Sequence, residues 1–262
     1  MKETLYSQEM GKTTSPGLVL IHGFFSDSES WQPLAMSLAA HFRVLLVDLP
    51  GHGRSAAALL DLEDWHSVAK VLHHRIAAME CLGKPIVAGY SMGARTAMQL
   101  AIHKPNALGG LILISGHPGY RDLEEAKRRR IEDEMLAQRL DYQELEEVVQ
   151  EWERKEIFQG QSEKARERQR YLRLNQHGPS LALALRRFGS GTCMRPENDL
   201  EVNCPVHVIT GDRNTVDQER AQSLSELFPS AELTVMANCG HNPLVEAPVQ
   251  LGLLIRQTVH TP

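Results

Sequence analysis

The 262-residue chain has no apolar run long enough to span a bilayer. Its first residues, Met1-Lys2-Glu3-Thr4-Leu5-Tyr6-Ser7, carry no apolar core of signal-peptide length. Cysteine is scarce: Cys81, Cys193, Cys204 and Cys239 lie far apart with no metal-ligand spacing, which argues against a disulfide framework or a zinc site. A free-thiol cytoplasmic protein without membrane attachment is the expectation. There is no excess of basic charge either, with 28 Lys and Arg against 33 Asp and Glu and a formal net charge of −5. Phosphate binding relies on such an excess, so nucleic acid is not expected as a partner. Internal repeats and low-complexity linkers are also lacking. What remains, 42% hydrophobic and 23% charged, is ordinary for a globular enzyme. The length suits one large α/β domain, or such a core with an insertion.

Short apolar runs alternate with amphipathic segments, the pattern of a mostly parallel sheet covered by helices. Leu18–Ile21, Val44–Val47, Pro85–Ala88, Leu111–Ile114, Val206–Ile209 and Leu233–Met236 read as strands. Residues with chemical potential fall just after their C-terminal ends, where open α/β sheets place ligands. Between Tyr120 and about Asn198 acids and bases crowd together and β-branched residues thin out. That stretch reads as helices forming a lid, with most of its charges on solvated faces. The predicted division is a core of 1–116 and 199–262 with a helical lid over 117–198.

Gly89-Tyr90-Ser91-Met92-Gly93 stands at a predicted strand-to-helix junction. A serine with glycine two residues to either side, in that position, describes a nucleophile elbow. The turn is tight enough to demand small residues, and the new helix points its N-terminus at developing negative charge. A serine hydroxyl needs an imidazole within hydrogen-bond reach, and the chain order for this arrangement is serine, acid, histidine. Of 12 histidines, His241 in Asn238-Cys239-Gly240-His241-Asn242-Pro243 follows the last predicted strand. Backbone N–H groups of Met92 and of Phe24, in His22-Gly23-Phe24-Phe25, are the expected oxyanion donors.

The acid is expected just after Val206–Ile209, in Thr210-Gly211-Asp212-Arg213-Asn214-Thr215-Val216-Asp217. Glycine, two residues, then aspartate is the related pattern, and Asn214 occupies that slot. A carboxylate orients an imidazole and stabilises its cation, and an amide does only the first, in part. Three readings stand open: Asn214 as a neutral partner, Asp212 or Asp217 in its place, or an impaired site. Asn214 is the favoured occupant.

These strand ends and motifs indicate an α/β-hydrolase fold, which by itself leaves the chemistry open. Over nearly its whole length the chain resembles the 2-succinyl-6-hydroxy-2,4-cyclohexadiene-1-carboxylate synthases of menaquinone biosynthesis. His22-Gly23-Phe24 with Trp31-Gln32, Val47-Asp48-Leu49-Pro50-Gly51-His52-Gly53-Arg54-Ser55, and Gly89 through Arg95 carry the resemblance. So do Gly116-His117-Pro118-Gly119 and Gly240-His241-Asn242. Ala94, Pro243-Leu244 and Asn214 depart from it. The resemblance implies a lyase that expels pyruvate from a small polycarboxylate, with Ser91 and His241 removing a proton. It further implies substrate-binding arginines at Arg95, Arg129 and Arg173, a role for Tyr90, and lid aromatics at Trp152 and Phe158. Guanidinium groups suit carboxylates because their donors form a planar fork. No metal or organic cofactor is implied, and the chain is expected to be a monomer or small homo-oligomer. Two rivals remain: another α/β-hydrolase (carboxylesterase, thioesterase or C–C hydrolase), and a non-catalytic ligand-binding homologue for which Asn214 is the supporting feature.

Overall fold

A computed structural model describes residues 5–59 and 62–258. Seven strands form one sheet: β1 (Ser7–Met10), β2 (Pro16–Ile21), β3 (Arg43–Val47), β4 (Leu82–Tyr90), β5 (Gly110–Ile114), β6 (Val206–Gly211) and β7 (Glu232–Met236). Their order is β1-β3-β2-β4-β5-β6-β7, and every pairing is parallel except β1 with β3. Apolar runs of four or five residues make the central strands because both faces are covered. Alternate residues feed two cores: Val19, Ile21, Val87 and Leu111 point to one, Leu18, Leu20, Ala88 and Ile112 to the other.

Helices supply the covering layers. On the first face lie α2 (Trp65–Ala77) and α3 (Met92–His103), contributing Leu72, Ile76, Met98 and Leu100. The second face takes α1 (Gln32–Leu38), with Leu34 and Leu38, and the terminal helix α10 (Pro248–Thr258), with Leu251 and Ile255. Burial of each such side chain contributes roughly 1.5–3 kcal/mol, so the sheet that carries the strand ends is a rigid platform. Strand β1 has no counterpart among the predicted strands. Its residues Ser7, Gln8, Glu9 and Met10 make no apolar run, and the antiparallel ladder to β3 together with ion pairs from Glu9 to Arg43 and Arg75 holds this edge.

Between β5 and β6 the chain leaves the sheet to form α4 (Leu123–Tyr142), α5 (Leu145–Glu153), α6 (Glu163–Leu174) and α7 (Gly178–Phe188). These helices gather their own small core from Ala137, Leu140, Val148, Val149, Leu181 and Leu185, and Phe25 of the loop after β2 completes it. Many lid charges pair along the surface, as Arg186 does with Glu134 and Asp141. The seam is also polar: Gln176 donates to Asp27 Oδ2 (2.9 Å) and accepts from the Gly53 N–H (2.9 Å). After β6 come α8 (Thr215–Ser225), then β7, and the single turn α9 (Pro243–Glu246). Among the described residues no helix is long and apolar enough to cross a membrane.

Candidate active site

Ser91 sits between the last residue of β4 and the first of α3 with φ +54° and ψ −108°. A non-glycine residue there is strained, and it persists because its surroundings fix it. The two flanking glycines show how. A Cβ on Gly89 would lie 2.1 Å from the Gly93 carbonyl oxygen, and one on Gly93 would lie 2.3 Å from that of Ile21. No side chain fits at either place, so the turn closes tightly and lifts the serine hydroxyl off the sheet.

His241, on the loop between β7 and α9, places Nε2 3.3 Å from Ser91 Oγ. Its Nδ1 lies 2.8 Å from Asp217 Oδ2, so a proton on Nδ1 is donated to that carboxylate. Burial pushes the Asp217 carboxyl up. The hydrogen bond and charge of His241, with the Arg220 guanidinium 3.6 Å away, outweigh burial and hold it below its ordinary value. Asp217 therefore meets the imidazole as a carboxylate.

The expectation that Asn214 partners His241 is corrected by this geometry. Asn214 is the N-cap of α8, and its Oδ1 accepts the Asp217 N–H at 3.1 Å. An oxygen folded back over the first helical turn is spent on the backbone, whereas the side chain one turn on reaches the imidazole. Asp212 is not the partner either: it is exposed, and its Oδ1 accepts the Cys239 N–H at 3.1 Å. The Asn-x-x-Asp spacing of a helix start was the available signal.

Phe24 and Met92 line the same cavity as Ser91. Gly23 admits the Phe24 backbone, since a Cβ there would lie 2.9 Å from the Tyr90 ring and 3.3 Å from Ser91 Cβ. Among the described residues neither the Phe24 nor the Met92 N–H has a protein acceptor. The buried Tyr90 ring lies 5.6 Å from that of His241, and burial raises its phenol far above the ordinary range, so it is a neutral donor.

These groups open into a cavity with an empty volume of about 1090 Å³, its mouth included. Five cationic side chains line it, Arg95, Arg129, Lys155, Arg173 and Arg220, against one carboxylate, Asp217. Arg129 and Arg173 are held from behind: Arg129 Nη2 lies 2.8 Å from Asp133, and Arg173 Nη1 lies 3.0 Å from Glu153 while its guanidinium stacks on Phe158. Arg95 differs. It is 8% exposed, and among the described residues no carboxylate comes within 4.0 Å of it. Its Nε is buried with no acceptor, and burial lowers its affinity for the proton. A buried cation with an idle donor is a strong attractor for an anion. Lys155 also lacks a carboxylate within 4.0 Å among the described residues; its ammonium lies 3.9 Å over the Trp152 ring. His117, pushed down to about 3 by burial and by Arg95, adds a neutral ring.

Arg95, Arg129, Arg173, Tyr90, Trp152 and Phe158, the side chains singled out from the sequence, are thus brought to one cavity with Ser91 and His241. Lys155 and Arg220 were not anticipated, because each lies in a charged or polar stretch with nothing to set it apart, and His117 was legible only as part of the Gly116-His117-Pro118-Gly119 motif, without a role of its own.

Similarity to known proteins agrees with this architecture. The alpha/beta hydrolase family matches residues 18–251. The 2-succinyl-6-hydroxy-2,4-cyclohexadiene-1-carboxylate synthase of Salmonella typhimurium is 31% identical over 248 residues, 93% of this chain and 94% of that protein. Its namesake from Escherichia coli is 31% identical over 243 residues, 91% of each. Among solved structures, MenH from S. aureus superposes with a TM-score of 0.89 at 26% identity, covering 98% of this chain and 97% of that one. A thermophilic esterase from Thermogutta terrifontis, at TM-score 0.79 and 24% identity over 98% of this chain and 94% of its own, shares the fold.

Proposed function

Because the chain belongs to the alpha/beta hydrolase family, and within it to the 2-succinyl-6-hydroxy-2,4-cyclohexadiene-1-carboxylate synthases, we propose that it eliminates pyruvate from 2-succinyl-5-enolpyruvyl-6-hydroxy-3-cyclohexene-1-carboxylate, a carbon–oxygen lyase step of menaquinone biosynthesis. His241 takes the proton of Ser91 as the serine oxygen removes a proton from the substrate ring. The electron pair released shifts through the ring and breaks the bond to the enolpyruvyl oxygen. The leaving group departs as the enolate and, on taking up the proton held by His241, becomes pyruvate. Negative charge that develops on the way is met by the N–H groups of Phe24 and Met92, with the Tyr90 phenol as a further donor. Asp217 keeps the imidazole in the tautomer that faces Ser91 and stabilises its cation.

One observation carries this reading. Arg95 is a buried cation with no carboxylate within 4.0 Å among the described residues, it lines the same cavity as Ser91, and Arg129, Lys155 and Arg173 join it there. A substrate with several carboxylates satisfies these groups, whereas a neutral ester would leave Arg95 buried and unpaired, at a cost of several kcal/mol. That weighs against the esterase rival. The non-catalytic rival rested on Asn214 and loses its ground with Asp217 against the imidazole.

The test is direct. Purified protein with the authentic precursor should release pyruvate, followed by a lactate dehydrogenase couple, in step with the appearance of the ring diene. Arg95→Ala should raise KM by about 10- to 100-fold. No pyruvate from the authentic precursor, together with vigorous turnover of short-chain nitrophenyl esters, would sink the proposal in favour of an esterase.

A further inference from the structure

Two amides flank the residue on which the proposed chemistry turns, and one side chain takes both. Glu246, the last residue of α9, accepts the Gly240 N–H at Oε2 (2.7 Å) and the Asn242 N–H at Oε1 (3.1 Å). Its side chain is 3% exposed, so the carboxylate is a buried clamp that spans His241. A Cβ on Gly240 would lie 2.8 Å from Glu246 Oε2, so a side chain there would have to displace the carboxylate. The loop is pinned beneath as well, since the Arg213 N–H donates to the Cys239 carbonyl at 3.0 Å and a Cβ on Gly211 would lie 2.1 Å from that same oxygen.

The clamp has a second connection. Arg213 Nη1 lies 3.7 Å from Glu246 Oε2 and donates to the Gly160 carbonyl, between α5 and α6 of the lid, at 3.4 Å. One guanidinium therefore touches both the carboxylate behind His241 and the backbone of the lid. Gly160, at φ +91°, leaves room for it: a Cβ there would lie 2.7 Å from Arg213 Nη1.

We infer that Glu246 is a positioning residue for His241: by holding both neighbouring amides it sets the imidazole between Ser91 and Asp217, and Arg213 ties that setting to the lid. The inference rests on the proposed role of the Ser91–His241 pair, though not on the identity of the substrate. The geometry makes two demands that a general packing role does not. The acceptor must be two-sided, since each oxygen serves one amide. Its effect must also appear in the reactivity of Ser91 rather than in ligand affinity, because Glu246 does not line the cavity.

Glu246→Gln separates these. The amide is the same size but offers one oxygen and one NH2, so one backbone N–H faces a donor. The rate at which a fluorophosphonate modifies Ser91, with Ser91→Ala as the blank, should fall about 10- to 100-fold, the scale of a sub-ångström to ångström misplacement of a catalytic group. The thermal midpoint should move by only about 2–4 °C, and KM for the precursor should stay within about twofold. Glu246→Asp keeps the charge but retracts it, and should regain part of the rate. The downfield proton resonance of the His241–Asp217 hydrogen bond gives a second readout that needs neither probe nor substrate; it should broaden or move in Glu246→Gln. An unchanged labelling rate with an unchanged resonance overturns the inference, and so does a loss of rate that only follows the fraction of unfolded protein. A wild-type protein that the probe does not label counts against the proposed function, and the proton resonance then decides the role of Glu246.

Discussion

Two strand-to-helix junctions meet at the site, β4–α3 with Ser91 and β6–α8 with Asp217, and they hold their functional side chains in opposite ways. At the first, the backbone places the group. Ser91 is held at positive φ between glycines on which a Cβ would fall 2.1 and 2.3 Å from carbonyl oxygens, so no neighbouring residue can take its place. At the second, the side chain does the reaching. Asn214 and Asp217 stand three residues apart on one helical turn, where the side chain of the first caps the helix and that of the second reaches the imidazole. Position is therefore fixed at the elbow and portable at the acid turn. A chain with asparagine in the usual slot keeps a carboxylate on its histidine for that reason.

The contrast can be broken at each junction, with effects that should descend in size. Ser91→Ala removes the group that the elbow exists to present, and pyruvate release should fall by about 10⁴-fold with the fold intact by circular dichroism; substantial turnover would detach the elbow from the chemistry. Asp217→Asn should lower kcat by about 10³- to 10⁴-fold, because the amide can hold the ring in the wrong tautomer and no longer stabilises its cation. That variant has an acid-side signature too. The Asp217 carboxyl is held below its ordinary value in the fold, so its stabilisation is complete above the unfolded-state value and is lost as pH falls through the lower folded one. Denaturation midpoints of wild type and variant should converge as the solution is acidified below about pH 4; a constant gap would contradict the paired carboxylate.

Smaller effects test the scaffolding. Gly93→Ala puts a methyl group 2.3 Å from the Ile21 carbonyl oxygen and should cost about 2–3 kcal/mol by urea denaturation, with activity lost in step. Asn214→Ala removes only a helix cap and should cost about 1 kcal/mol, with kcat held within about threefold. If Asn214→Ala were as damaging as Asp217→Asn, the assignment at the acid turn would be wrong and the two junctions would be alike after all.

Much of the fold was legible because it is written in runs. Leu18–Ile21, Val44–Val47 and Leu111–Ile114 are continuous apolar tetrads that only a doubly covered strand explains, and each lies within an observed strand. Strand β1 was not, since Ser7, Gln8 and Glu9 are polar and their ladder comes from β3 alone. The elbow and His241 were legible because glycines mark close approaches. Asp217 was visible only as one of three alternatives: spacing places the turn, but the cap that occupies Asn214 is a matter of side-chain direction. Glu246 and Lys155 gave no signal, because a carboxylate turned onto two amides and an ammonium set over an indole read in sequence like any other charge.

Gln176 has a bearing on traffic through the molecule. Its amide joins Asp27 and Gly53, two separate loops of the sheet layer, to the end of α6, and it does so from a buried position. That end of the lid is moored at two points by a buried side chain, while the Trp152 end meets the rest of the molecule through ring contacts and the exposed Arg213, which donates to the Gly160 carbonyl at 3.4 Å. Anything entering or leaving is expected to pass on the Trp152 side, with the α6 end as the pivot. Gln176→Ala should then quicken the exchange of a bound anion in stopped-flow fluorescence, and an unaltered rate would show that the mooring does not govern passage.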